Sequence, residues 1–188
     1  MKRMVMLLCL PLLVNLSGCA LVVAGGAVGA TVVAMDGRDV GTQVDDNSLR
    51  LRVESHLNDD QTLREQRIQI VAYNGNVLIF GQAESDRIRD QAVRVTRDVN
   101  GVNRVYDQLR VGPKATLSER SRDTFLTSRV KAALITDSEF DHSNIKVYSE
   151  KGEVFLVGVT TADAAADAIE QVRHMNGVER VIDVLERR

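Results

Sequence analysis

The chain is short of cysteine, histidine and positive charge, and these shortages exclude several classes of protein. Its 188 residues contain only two cysteines, Cys9 and Cys19, too few for a disulfide-stapled scaffold. Lys and Arg number 24 against 26 Asp and Glu, which gives a formal net charge of −2. Proteins that bind nucleic acid carry a basic face, so this balance argues against that class. The content of 44% hydrophobic and 27% charged residues is typical of a globular protein.

The residues that enzymes use for catalysis are also scarce. The three histidines, His56, His142 and His174, lie in unrelated contexts, and no His/Cys spacing suits a metal. His56 is close to an apolar helical stripe, so we expect it to be a partly buried packing residue. The acidic run from Asp137 to Asp141 lacks the glycine and distal glutamate of a calcium loop. We therefore predict no metal, no cofactor other than covalent lipid, and no catalytic site.

The N-terminus has the layout of an export signal. The basic start Met1-Lys2-Arg3 precedes a short apolar stretch, and Leu16-Ser17-Gly18-Cys19 then resembles the lipobox of bacterial lipoproteins. We interpret residues 1–18 as a signal peptide and Cys19 as the residue that receives lipid. The alternative is an uncleaved membrane anchor running on to Met35. Polar residues just before Cys19 interrupt the apolar run that such an anchor needs.

The residues after Cys19 indicate where such a lipoprotein would reside. In lipoproteins of this type an aspartate in the next position marks retention in the inner membrane, and this chain has Ala20. The resemblance therefore implies the outer membrane, with the protein on its periplasmic face. Residues 20–35 are rich in alanine, glycine and valine, and residues 36–46 are polar. We interpret residues 19–45 as a flexible tether.

The remainder of the chain is an internal repeat. At an offset of 77 positions the apolar residues of the first copy meet those of the second, for example Leu49 with Leu126 and Val53 with Val130. The second copy then loses one residue, and an offset of 76 aligns its Asn-Gly-Val with that of the first. We predict a first module at residues 46–112, a linker at 113–122 and a second module at 123–188.

Each copy has the same predicted order of elements. Leu49, Val53 and Leu57 recur every four positions and predict a helix, for which Asp46 is a suitable N-cap, as is Asp123 in the second copy. A strand rich in β-branched residues, a hairpin turn containing glycine and a nearly continuously apolar strand follow. A second helix and a last strand complete the module. This order predicts an α+β fold of two tandem α-β-β-α-β modules, each a three-stranded mixed sheet with two helices on one face.

This arrangement resembles a known bacterial module, the BON domain (bacterial osmotically induced and nodulation). The resemblance rests on the order of elements, on Gly81 and Gly158 closing the second strands, and on the Gly-Val after each second helix. With the lipobox and the lead-in of residues 40–46, the whole chain resembles the dual BON-domain outer-membrane lipoproteins. Membership implies binding of anionic phospholipid, concentration at the cell-division site, support of outer-membrane integrity, and no catalysis.

The two copies differ on the outward side of their first helix. Phe125 replaces Ser48, and Phe125, Ala132 and Ile135 are spaced to share one face of the helix. Lys131 replaces a glutamate beside them. An apolar face flanked by basic residues suits an anionic membrane surface, and the resemblance implies the same helix as the lipid contact. The predicted phospholipid-binding residues are Phe125, Ser128, Arg129, Lys131, Ala132 and Ile135.

Three alternatives remain open at this stage. The second apolar face could pack against the first module and form a domain interface. The protein could be an adaptor for outer-membrane assembly proteins, using exposed strand edges or the strand Val178–Leu185, in which Ile182 and Val184 form an apolar face opposite Val181 and Leu185. A periplasmic hydrolase is the weakest of the three because no catalytic site is recognisable.

Overall fold

A computed structural model describes residues 40–136 and 141–188. The predicted signal peptide, the predicted lipidation site Cys19 and most of the predicted tether lie outside the described residues. So does most of the acidic run that ends at Asp141. The described residues contain the predicted order of elements twice, with one additional short helix in the first module.

The helices and strands of the two modules correspond to one another along the chain. The first module consists of α1 (Val40–Asp59), the short α2 (Gln61–Arg64), β1 (Arg67–Tyr73), β2 (Asn76–Ala83), α3 (Asp86–Arg97) and β3 (Arg104–Val111). The second module consists of α4 (Leu117–Thr136), β4 (Ile145–Glu150), β5 (Glu153–Thr160), α5 (Ala162–Arg173) and β6 (Arg180–Arg187).

Each module contains one three-stranded mixed sheet, which confirms the predicted fold class. In the first module β2 is central, antiparallel to β1 and parallel to β3. In the second module β5 is central, antiparallel to β4 and parallel to β6. Parallel neighbouring strands need a long crossover connection. This connection contains α3 in the first module and α5 in the second.

The helices of each module pack on one face of its sheet and bury the apolar stripe that the sequence predicted. In the first module Leu49, Val53 and Leu57 of α1 are at most 3% exposed. They share a core cluster with Val77 and Ile79 of β2. The second module repeats this core with Leu126, Val130, Leu134, Val154 and Leu156. Full burial of such side chains contributes about 1.5–3 kcal/mol each and holds the helices on the sheet.

The two first helices begin earlier than predicted, at Val40 and Leu117. Residues 40–45 are therefore helical rather than part of a tether, and the predicted linker 113–122 includes the first turns of α4. The prediction that Asp46 and Asp123 are N-caps is wrong, because both lie inside their helices. Nothing in residues 40–46, such as a proline, stops a helix from extending beyond the packed stripe.

Both aspartates instead bind the hairpin turn of their own module. The Asp46 carboxylate accepts hydrogen bonds from the backbone N–H groups of Asn74 and Gly75 at 2.9 and 3.0 Å. Asp123 accepts the equivalent bonds from Lys151 and Gly152 at 2.7 and 3.0 Å. The first residue of each turn has a positive φ, 51° at Asn74 and 48° at Lys151, as a two-residue type I′ hairpin requires. Each buried carboxylate thus joins the first helix to the tip of the hairpin.

The helix-free faces of the two sheets pack against each other. Val71, Tyr73, Leu78 and Phe80 of the first sheet form one buried cluster with Phe155 and Val157 of the second. The ring centroids of Phe80 and Phe155 are 4.6 Å apart. The molecule therefore has four layers, helices, sheet, sheet and helices, with α1 and α4 on opposite outer sides.

A buried carboxylate lies at one end of this sheet-to-sheet contact. Glu150 is 3% exposed and accepts hydrogen bonds from Arg67 Nε at 2.7 Å and Arg67 Nη2 at 2.8 Å. Gln69 and Gln82 donate to the same carboxylate at 2.5 and 2.9 Å. The hydrogen bond to Glu150 raises the pKa of the Arg67 guanidinium above its ordinary value. Three side chains of the first module thus donate hydrogen bonds to one carboxylate of the second module.

The contact between the modules has approximate twofold symmetry. Arg110 on β3 forms an ion pair with Glu153 on β5 at 3.1 Å. At the symmetry-related place, Asn76 on β2 donates to Glu186 on β6 at 2.5 Å. Each module thus presents the same sheet face to the other, which is the isologous pattern of a homodimer interface.

Candidate functional site

Helix α4 has one side in the core of the second module and the other in solvent. Its buried residues are Asp123, Leu126, Val130 and Leu134. On the opposite side Phe125 is 67% exposed and Ile135 is 81% exposed, and Ala132 is also exposed. Positions three and seven apart lie on one face of a helix, so the predicted apolar face exists and is open to solvent.

Leu117 belongs to the same face, although the sequence analysis missed it. It is 78% exposed. At about 100° per residue its spacing places it in line with Ile135, and both lie about 80° around the helix from Phe125, still on the outward side. The three side chains extend over roughly 27 Å along the axis, at about 1.5 Å per residue. The signal was the spacing between Leu117 and Ile135, about five full helical turns, but the prediction places Leu117 in the linker.

The basic residues predicted for this face flank its apolar centre. The guanidinium of Arg129 lies over the ring of Phe125, 5.8 Å from its centroid. The same guanidinium donates to the carbonyl of Asn176 at 2.9 Å, which fixes its position. Lys131 is exposed on the other side of the face. The remaining predicted residue, Ser128, is exposed but donates its hydroxyl to the Thr124 carbonyl at 3.0 Å.

A groove of about 620 Å³ opens beside Phe125, between α4, the β4–β5 turn and the loop before β6. Its charged lining mixes three basic side chains with acidic ones. Lys151 is already engaged with the Pro113 carbonyl at 2.9 Å. The backbone N–H of Thr116 donates to Glu119 and lowers the pKa of that carboxyl below its ordinary value. The principal lining residues are Arg122, Phe125, Arg129, Lys151, Asn176 and Glu179.

The structure excludes the domain-interface alternative and one of the two surfaces suggested for an adaptor. The apolar face of α4 does not pack on the first module, because the modules meet through their sheets. The apolar face of the last strand does not serve as a free docking surface. Ile182 and Val184 pack against the sheet-to-sheet cluster and are half-buried there.

The equivalent face of α1 in the first module also carries exposed apolar side chains. Ser48 and Asn58 replace Phe125 and Ile135 there. Val44 and Leu51 are nonetheless 55% and 50% exposed. They are smaller than phenylalanine, and no aromatic side chain accompanies them on α1. They provide a comparison surface within the same molecule.

The histidines do not form a site. The prediction for His56 is wrong, because its ring is exposed and bonds through Nδ1 to the Arg52 carbonyl at 2.8 Å. His142 is buried, with Nδ1 3.1 Å from the Leu134 carbonyl oxygen, and His174 is exposed beside Glu170. Within residues 40–136 and 141–188, no three His, Cys, Asp or Glu side chains are grouped so as to hold a metal ion.

The same described segments contain no helix whose length and apolar character would allow it to cross a membrane.

Comparison with known proteins identifies both modules. The family model of the BON domain matches residues 45–113 and 122–188. The chain is 39% identical over 170 residues to the outer membrane lipoprotein DolP of Haemophilus influenzae, covering 90% of this chain and 88% of that one. It is also 39% identical over 152 residues to the 21 kDa hemolysin of Actinobacillus pleuropneumoniae, covering 80% and 78%.

A third relative is similar at lower identity. The osmotically-inducible protein Y of Escherichia coli K12 is 29% identical over 145 residues, covering 76% of this chain and 72% of that one. As a BON-domain protein related to an outer membrane lipoprotein, the protein is not an enzyme. The chain therefore belongs to the BON-domain family, as a lipid-anchored outer-membrane lipoprotein with two BON domains.

Proposed function

We propose that the protein binds anionic phospholipid through the outer face of α4 and thereby supports outer-membrane integrity. The observation that carries this proposal is the exposure of Leu117, Phe125 and Ile135 on one helix face, with Arg129 and Lys131 beside them. Apolar side chains of such a face enter the boundary between headgroups and acyl chains, while basic side chains meet phosphate. The family resemblance further suggests concentration at the division site.

The expected energies suit a protein that is already held at the membrane. Full burial of Phe125, Ile135 or Leu117 would contribute about 1.5–3 kcal/mol each. A basic residue at an anionic surface adds about 1 kcal/mol. Salt screens this electrostatic contribution, so the affinity for anionic vesicles should fall as the ionic strength rises. We propose that lipid on Cys19 provides the anchor and that α4 sets the orientation.

In this orientation α4 lies parallel to the membrane plane. Its three exposed apolar side chains extend along nearly the whole helix, so a perpendicular approach would leave most of them in water. The four-layer architecture then places α1 on the side away from the membrane. The groove beside Phe125 opens next to the inserted ring, where Arg122 and Arg129 can meet headgroup phosphate.

Sedimentation with vesicles tests the proposal. The fragment 36–188 is suitable because α1 and both cores lie within residues 40–188. We expect it to bind vesicles containing anionic phospholipid and not purely zwitterionic ones. Phe125→Ser, which installs the first-module residue, should weaken binding roughly tenfold or more because the buried ring is lost.

Leu51→Ser is the matched control, since it removes an exposed apolar side chain from the equivalent helix on the opposite outer side. It should leave vesicle binding unchanged. Equal binding by wild type and Phe125→Ser, with both folded, would contradict the proposal. Equal losses in the two variants would indicate nonspecific adsorption and would contradict it as well.

A further inference from the structure

The outer side of β1 is an unpaired strand edge. In the described residues β1 pairs only with β2. The two-residue turn makes Tyr73 and Asn76 a hydrogen-bonded pair, and such pairs alternate along an antiparallel ladder. Ile68 and Ile70 are thus non-hydrogen-bonded positions, and their N–H and C=O groups point away from β2. An edge of this kind is a template for a further strand.

A groove of about 310 Å³ runs along this edge. One wall comes from α1 and α2, and the opposite wall includes Tyr148 of the second module. The floor is β1 itself, with four consecutive residues, 68–71, in the lining. Side chains of an added strand alternate between two directions, so the two walls match its two faces. The apolar lining comprises Leu57, Leu63, Ile68, Ile70, Val71 and Phe80.

The rim of the groove carries one uncompensated positive charge. Arg50 forms an ion pair with Glu54 at 2.8 Å, so those two charges offset each other. Arg64 also lines the groove and is exposed. In the described part of the chain its side chain has neither a hydrogen bond nor an ion pair. The groove therefore favours a ligand with an acidic group near its apolar side chains.

The second module has different chemistry at the corresponding edge. Thr127, which stands in the place of Arg50, donates to Ser149 on β4 at 2.9 Å and ties helix to strand there. Lys131 replaces Glu54. The charge pattern at the rim of the β1 groove is therefore specific to the first module.

We propose that the β1 groove binds an extended peptide segment of a partner protein, which pairs with β1 as an additional strand. The apolar side chains on one face of the peptide meet the wall that includes Tyr148, and an acidic side chain on the other face pairs with Arg64 on the side of α1 and α2. Strand addition of this kind derives affinity from backbone hydrogen bonds and specificity from the pockets for alternate side chains. None of the lining residues belongs to α4, so this site is independent of the membrane-binding face.

The test uses the fragment 36–188 and an acetylated peptide of sequence Val-Thr-Val-Glu-Val-Thr-Val. Amide NMR should show shifts confined to β1 and the groove, and slower hydrogen exchange at Ile68 and Ile70. Arg64→Glu should weaken binding about threefold or more, as loss of an exposed ion pair implies. Arg97→Glu, at an exposed arginine of α3, should leave the affinity unchanged.

A peptide with lysine in place of glutamate should reverse the preference and bind Arg64→Glu more tightly than wild type. Shifts centred on α4, or no added protection at Ile68 and Ile70, would overturn the proposal. Equal affinities for wild type and Arg64→Glu would overturn the assigned role of the rim charge and, with it, the choice of an acidic peptide. Dimerisation of the fragment through β1 in the absence of peptide would identify a second copy of this chain as the occupant of the groove. That result would also overturn the proposal.

Discussion

At the scale of single residues, Asp46 and Asp123 illustrate how a correct observation can receive the wrong explanation. Their recurrence at equivalent positions marked them as structural, and aspartate is a common N-cap. The carboxylates instead satisfy N–H groups of a turn that lies 28 or 29 positions further along the chain. Local patterns cannot reveal such a partner, because it is brought close only by the fold.

Removing one of these carboxylates should destabilise its module. Asp46→Ala leaves the N–H groups of Asn74 and Gly75 without their acceptor in a partly buried position. We expect a loss of about 1–3 kcal/mol in the free energy of unfolding, measured by urea denaturation. Asp45→Ala, at the exposed neighbour, should change it by no more than about 0.5 kcal/mol. Similar effects of the two substitutions would contradict the assigned role of Asp46.

The outward residues of α4, unlike the partners of Asp46 and Asp123, could largely be predicted from the sequence. Phe125, Ala132 and Ile135 could be predicted because the repeat supplied a reference for every position. Leu117 was missed because the helix boundary was placed too late, and His56 was misplaced because closeness to a stripe is not membership of it. Because successive side chains of a helix point about 100° apart, the direct neighbour of a core residue can face solvent.

At the scale of elements, the close approach of the first and second strands depends on glycine. A Cβ on Gly81 would lie 2.0 Å from the carbonyl oxygen of Arg67, and one on Gly158 equally close to that of Asn144. Both glycines close the strand that is central in its sheet. Their recurrence in the two copies was part of the family resemblance, and the clash gives its physical reason.

Gly81→Ala should therefore be strongly destabilising, because the Arg67 backbone must move. Gly112 is the matched control, since its φ of 153° is also positive but a Cβ there would meet nothing within 4 Å. We expect Gly81→Ala to lower the thermal midpoint clearly more than Gly112→Ala, as strain at a special backbone position implies. Equal shifts measured by circular dichroism would show that backbone conformation, rather than the contact, determines the cost.

At the scale of the whole molecule, the packing of the two sheets was the main feature that sequence analysis did not predict. The nearly continuous apolar runs of β2 and β5 indicated strands buried on both faces, and helices cover only one face. The second cover is the other module. A repeat reveals that two units exist, but the choice of contacting faces depends on complementary pairs such as Arg67 with Glu150.

Breaking that buried pair should destabilise the two-module unit. Glu150→Ala removes the acceptor shared by Arg67, Gln69 and Gln82 and leaves a partly buried guanidinium unpaired. The expected cost is about 3–5 kcal/mol, the range for loss of one partner of a buried pair. Glu170→Ala, which removes an exposed partner of Arg173, should cost less than about 1 kcal/mol. Indistinguishable unfolding curves would show that the sheets are held by apolar contact alone.

The central claim is that the outer face of α4 enters an anionic membrane surface, and a single fluorophore tests it most directly. The chain contains no tryptophan, so Phe125→Trp and Leu51→Trp each place one reporter on an exposed helix face. On addition of anionic vesicles we predict a blue shift and protection from an aqueous quencher at position 125, with neither at position 51. An emission spectrum at position 125 that remains that of a solvated indole, while the protein is bound to the vesicles, would contradict the account.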